Sequence, residues 1–218
     1  MAESMEAKKG RVAKILTRLA KAYPTAGIEL RFSTPLELLA ATILSAQCTD
    51  ERVNMVTEKL FKRYRRAADY AEARPATLEE EIHSTGFFKA KAKSLMGMGR
   101  ALVERHGGEV PRTLDELVAL PGVGRKTANL VLILSFKSLE NICVDTHVHR
   151  ISNRMGWVRT AQPEETEQAL YKATDRRWWP LINLYLVTWG QNVCRPIYPR
   201  CGDCAIAGDC RRIGVDAR

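Results

Sequence analysis

Leu120-Pro121-Gly122-Val123-Gly124-Arg125-Lys126-Thr127-Ala128 decides how this 218-residue chain folds. Upstream, Thr113-Leu114-Asp115-Glu116 spells a capping box, so a short helix starts there and ends before Pro121. Downstream, Asn129 leads into the apolar run Leu130 to Leu134, so a second helix begins inside the quoted stretch. The result is two helices joined by a tight Gly-x-Gly turn. Gly122 and Gly124 are both expected to use the positive φ and close backbone approach that glycine permits. The amides of the turn and of the second helix's first turn then point outward, and the helix dipole makes them an anion site. A plain αα-corner would also use Pro-Gly. Arg125 and Lys126 beside the turn favour a phosphate instead.

Moving outward, apolar residues recur at helical spacing and nowhere alternate as strands do, which predicts an all-α protein. Val12, Ile15, Leu16 and Leu19 form one stripe, closed by Pro24. Thr34 reads as an N-cap with Pro35 at the first helical position. A helix from Asp50 should bury Val53, Val56, Leu60 and Phe61. Thr77 to Glu80 spells another capping box and predicts a helix start at Thr77. Gly86, Gly107, Gly108 and Gly156 fall where helices should stop. At least nine short helices result, without a 20–50-residue repeat.

Composition narrows the function. The chain holds 34 Lys+Arg against 25 Asp+Glu, a formal charge of +9, which favours a polyanionic partner. No apolar run approaches a membrane span, and the first residues lack a secretory h-region. A cytoplasmic, nucleoid-associated protein with no membrane partner is expected. Of six cysteines, Cys194, Cys201, Cys204 and Cys210 crowd near the C-terminus. Without a secretory signal such a cluster reads as a metal site rather than a disulfide framework. One C-x2-C pair is present where zinc sites usually show two, and four thiolates also suit a [4Fe–4S] cluster.

The run LPGVGRKTA, followed by Val144-Asp145-Thr146-His147-Val148, resembles the helix-hairpin-helix DNA glycosylases. With Ser45-Ala46-Gln47 upstream and the four cysteines at 6-2-5 spacing, it resembles the endonuclease III family, the iron–sulfur branch. These motifs span residues 45 to 210. The resemblance implies a two-domain fold: a six-helix domain over 30–139 carrying the hairpin, and a cluster domain built from 1–29 and 140–218. It also implies a bifunctional glycosylase and abasic-site lyase that removes oxidised pyrimidines from damaged double-stranded DNA, expected to work as a monomer.

Residue by residue, the resemblance makes Lys126 the Schiff-base amine, Asp145 the catalytic carboxylate and the four cysteines the ligands of a [4Fe–4S] cluster. The bare chemistry agrees. The positive end of a helix favours the neutral amine of Lys126 over its ammonium form, and Arg125 adds to that. A carboxylate at Asp145 would steady oxocarbenium charge on deoxyribose. As alternatives, Lys126 could simply clamp a phosphate and Asp145 simply cap a helix. Gln47 matches the residue that fills the space left by an extruded nucleotide. Phe87 stands where relatives carry a second wedge, often Leu; an aromatic there could intercalate or belong to the core. Gly122, Gly124 and Arg125 are expected on the DNA backbone, as are Arg195 and Arg200 in the stiff loop between the first two cysteines. His147 is expected to be structural rather than a base. Two rivals remain: the related adenine-mismatch glycosylase, and a non-catalytic DNA-binding module with structural zinc.

Overall fold

The computed structural model describes residues 3–215. Eleven α-helices lie among them: α1 (Met5–Ala22), α2 (Pro35–Leu44), α3 (Asp50–Arg63), α4 (Ala67–Ala71), α5 (Pro75–Glu81), α6 (Phe88–His106), α7 (Leu114–Val118), α8 (Arg125–Phe136), α9 (Thr146–Arg154), α10 (Pro163–Ala173) and α11 (Trp179–Asn192). Three 3-10 turns accompany them, and no strand occurs among the described residues. The fold is all-α. Among the described residues no helix is long and apolar enough to cross a membrane. The chain divides into two compact units, one covering Glu29–Lys137 and the other taking both ends, up to Ile28 and from Ser138.

The Glu29–Lys137 unit is built around α2. Thr34 caps this helix, its Oγ1 accepting from the Glu37 amide at 3.1 Å, and Pro35 occupies the first turn. Every residue from Leu38 to Leu44 is buried, so α2 is a central rod rather than an amphipathic surface helix. It packs on α8, whose Ala128 to Ile133 are likewise buried. The unit carries seven α-helical segments where six were expected. Two of them, α4 and α7, are single turns of five residues that packing alone can hold. On α6, a Cβ at Gly99 would come within 2.7 Å of the Ala67 carbonyl, so glycine lets α4 lie directly on this helix. The predicted start at Thr77 is wrong. Pro75 opens α5 with Arg74 before it, because its fixed φ already suits a first turn.

In the unit made from the chain ends, α1 buries the predicted stripe Val12, Ile15, Leu16 and Leu19 against Ile151, Leu170, Leu186 and Trp189. Each fully buried Leu or Ile of this kind contributes about 1.5–3 kcal/mol. Gly190 of α11 meets α9 closely: a Cβ there would lie 2.2 Å from His147 Nδ1. The cysteine-bearing tail joins this core through Ile206, with Cys194, Cys204 and Cys210 packed against it. Arg11 of α1 pins the tail. Its guanidinium donates to the carbonyls of Met155 (2.8 Å), Asp209 (3.2 Å) and Gly156 (3.2 Å), and pairs with Glu3.

Candidate functional site

The hairpin forms as the glycine pattern requires, with one difference. Thr113 Oγ1 accepts from the Glu116 amide and starts α7, and the Val123 amide closes the turn on the Leu120 carbonyl at 3.1 Å. Gly122 has φ +78°, and a Cβ there would sit 2.6 Å from that of Ser94 on α6. Gly124, by contrast, is extended at φ −89°. Its missing side chain answers no need inside the protein, since a Cβ there would meet nothing within 4 Å. Gly124 is also the N-cap of α8, which has no side-chain cap. The first amides of α8 therefore open onto a bare, unobstructed backbone, the arrangement an anion requires. Half-buried Arg125 and exposed Lys126 are the first two residues of the helix.

Lys126 has a neighbour that spacing could not reveal. Asp50, first in α3, feels the lysine's charge, yet its carboxyl is held above the usual aspartate range by burial and then by Glu29. The separation of 76 positions hides this from any motif. Gln47 and Phe87 lie on two loops of the same unit, after α2 and before α6. Both are exposed, Phe87 by 66%, so Phe87 is not a core aromatic. Both also hold a left-handed backbone, φ +52° and +48°.

Asp145 belongs to the other unit, where it caps α9: its Oδ1 accepts from the Val148 amide at 2.8 Å. The cap involves one oxygen of the carboxylate. His147 lies against Arg150, whose Nη2 is 3.1 Å from the imidazole Nδ1. Burial, then the Arg150 charge, hold that imidazole below its ordinary range, against the pull of Asp145.

Cys194, Cys201, Cys204 and Cys210 line one small cavity of about 20 Å³, walled also by apolar Met155, Trp189 and Ile206 and by Arg154, Arg200 and Arg212. Burial raises the Cys204 and Cys210 thiols and the neighbouring sulfurs raise them further, while the Arg212 charge pulls Cys210 the other way, so these side chains share one site. Two N–H groups already reach them: Arg154 Nη1 to Cys194 Sγ at 3.6 Å, and the Arg212 amide to Cys210 Sγ at 3.4 Å. Among the described residues no three His, Cys, Asp or Glu side chains surround a single ion. A ring of thiols about one cavity fits a multi-iron cluster, whose ligands stand wider apart than the four of one zinc. Arg195 and Arg200 are exposed on the loop between the first two cysteines. That loop is fastened by Arg154, which donates to the Arg195 carbonyl at 2.6 Å and the Pro196 carbonyl at 2.8 Å. Arg154 escaped the sequence reading because its acceptors are main-chain atoms some forty positions away.

A helical hairpin with an open anion site and adjacent cations, joined to a four-thiol centre, defines a class of DNA-handling protein. The family described as HhH-GPD superfamily base excision DNA repair protein matches residues 40–176. Endonuclease III of Synechocystis sp. is 47% identical over 94% of this chain and 94% of its own. Endonuclease III of Thermotoga maritima is 45% identical over 81% of this chain and 82% of its own. A solved structure of a trapped endonuclease III–DNA covalent intermediate, an estranged-adenine complex, superposes with a TM-score of 0.87 at 40% identity, over 94% of this chain and 96% of that one. This chain belongs to the HhH-GPD superfamily of base excision DNA repair proteins and, within it, to the endonuclease III family.

Proposed function

We propose that the protein is a DNA glycosylase and abasic-site lyase that excises oxidised pyrimidines from duplex DNA in base excision repair. The observation that carries this reading is Lys126 in the first turn of a helix whose glycine N-cap offers no side-chain cap, an arrangement that would bring an amine to a bound DNA backbone. Support comes also from the trapped covalent intermediate formed by a relative 40% identical.

The hairpin amides and Arg125 hold a phosphate near the lesion without reading sequence. Gln47 and Phe87 enter the stack as the damaged nucleotide swings out, and cover part of the cost of unstacking. Asp145 steadies positive charge on the deoxyribose as the N-glycosidic bond breaks. The Lys126 amine bonds to C1′ as the base departs with its bonding electron pair and a proton; the C1′–O4′ bond then breaks, O4′ takes up a proton, and the nitrogen lone pair closes the imine. The imine that remains acidifies the C2′ hydrogen; its loss expels the 3′ phosphate and cuts the strand. Water then returns the amine. Asp50, a half-buried carboxyl that feels Lys126, is suited to accept and hand back a proton in these steps.

The four cysteines would hold a [4Fe–4S] cluster, which would tie the tail together and make it rigid. Arg195 and Arg200 on that tail add contacts to the DNA backbone. The protein would act as a monomer on damaged double-stranded DNA in the cytoplasm, at the nucleoid. Borohydride trapping tests the reading. Wild-type protein should crosslink to a lesion duplex, and Lys126→Gln should lose the crosslink while still binding DNA. Crosslinking by Lys126→Gln at wild-type yield would assign the chemistry to another amine.

A further inference from the structure

Lys91 is the most improbably placed charge in the Glu29–Lys137 unit. It lies in the first turn of α6, where the helix dipole opposes a cation, and only 5% of it is exposed. Burial holds its ammonium below the usual lysine range, and only the Cys48 thiol pulls the other way. Its one direct reward is a pair of main-chain acceptors: Nζ donates to the Leu44 carbonyl and to the Thr85 carbonyl, each at 2.8 Å. Leu44 is the last residue of α2, three positions before Gln47, and its carbonyl faces out from the negative end of that helix. Thr85 lies two positions before Phe87.

Gln47 and Phe87 are non-glycine residues in left-handed backbone, a strain that persists only where the surroundings enforce it. A methionine in place of Lys91 would fill the same volume without the desolvation of a charge. What it could not do is join the two loops. We propose that Lys91 is a positioning residue for duplex opening: its single ammonium locks the Gln47 loop and the Phe87 loop into one rigid, two-pronged wedge, set before DNA arrives. This inference rests on the reading of Gln47 and Phe87 as the wedge residues.

The test uses the full-length protein and one oxidised pyrimidine in two contexts. In one it is fully paired; in the other it lies in a bubble of mismatches that is already open. Single-turnover excision is measured for wild type, Lys91→Met, Lys91→Gln, Gln47→Ala and Phe87→Ala. Lys91→Met should slow excision from the paired duplex by about 10- to 100-fold, the scale of a charged hydrogen bond, and leave the open bubble near wild type. Lys91→Gln, which keeps an N–H donor on a shorter side chain, should fall between. A 2-aminopurine beside the lesion should brighten less on binding Lys91→Met. The ratio of the two rates within one preparation does not depend on how much of it is folded. Equal losses on both substrates, or no loss on either, while Gln47→Ala and Phe87→Ala remain selective, would overturn the clamp and leave the wedge standing. If Gln47→Ala and Phe87→Ala show no preference for the open substrate, the wedge reading falls and the clamp with it.

Discussion

Asp145 carries two roles that substitution can separate. Its Oδ1 caps α9, and its charge is the one proposed to meet a developing cation. Asn is as good an N-cap as Asp, so Asp145→Asn should keep the melting temperature while slowing base removal by about 10²–10³-fold. Asp145→Ala should slow it similarly and in addition lose about 1 kcal/mol of stability with the cap. Thermal melting and single-turnover excision on the two variants check this; equal stability loss in both would mean that the charge, not the cap, supports the fold. Cap and neutraliser look the same in residue type, so position 145 by itself reads as an acidic helix start; its catalytic role came only from the family resemblance.

The hairpin shows how two glycines in one motif answer different needs. At Gly122 a methyl group would meet both a left-handed backbone and Ser94 at 2.6 Å. Gly122→Ala should therefore cost at least ~1–3 kcal/mol by denaturant unfolding, and removal of the Ser94 side chain in Gly122→Ala/Ser94→Gly should restore part of it. At Gly124 the backbone is extended and the space open, so Gly124→Ala should stay within about 1 kcal/mol of wild type. Its methyl group would instead stand at the proposed phosphate site, so affinity for undamaged duplex should fall. Unchanged DNA affinity in Gly124→Ala would move the anion site elsewhere. The motif spells both glycines alike; only the packing of α6 beneath the turn distinguishes them.

Across the molecule, the chain ends are tied by charge as well as by core. Glu3 is paired with Arg11 and Arg211, and the hydrogen bond from Arg11 is the largest influence holding its carboxyl below the ordinary 4.5. A carboxyl lowered in the folded state stabilises it fully above its unfolded value and ceases to do so as pH falls through the folded one. Acid melting below about pH 4.5 should therefore be blunted in Glu3→Gln relative to wild type; parallel curves would show that Glu3 is not linked to folding. The four cysteines act at the same scale. Cys204→Ala should bleach the visible absorbance of the purified protein and raise amide exchange in α1, α9 and the tail, with little change in α2 and α8. A coloured protein with unaltered exchange would mean that the ligands are misassigned.

What the sequence determined by itself was periodicity and punctuation. The stripe Val12 to Leu19, the cap at Thr34, the hairpin around Gly122 and the thiol spacing are local patterns, each set by 3.6-residue repetition or by the φ one residue can adopt. It erred where two local signals competed: Pro75 began a helix ahead of the capping box at Thr77, because a fixed φ acts before a side-chain bond can form. It could not tell whether Phe87 was core or surface, since exposure depends on what packs around α6. Tertiary structure alone decided the rest. Asp50 meets the charge of Lys126 across 76 positions, Arg154 grips a loop forty residues on, and Lys91 joins carbonyls at Leu44 and Thr85. Each of these pairs a side chain with a distant charge or main-chain atom. Main-chain acceptors are chemically the same at every residue, so nothing in the order of side chains announces which of them a buried cation will find.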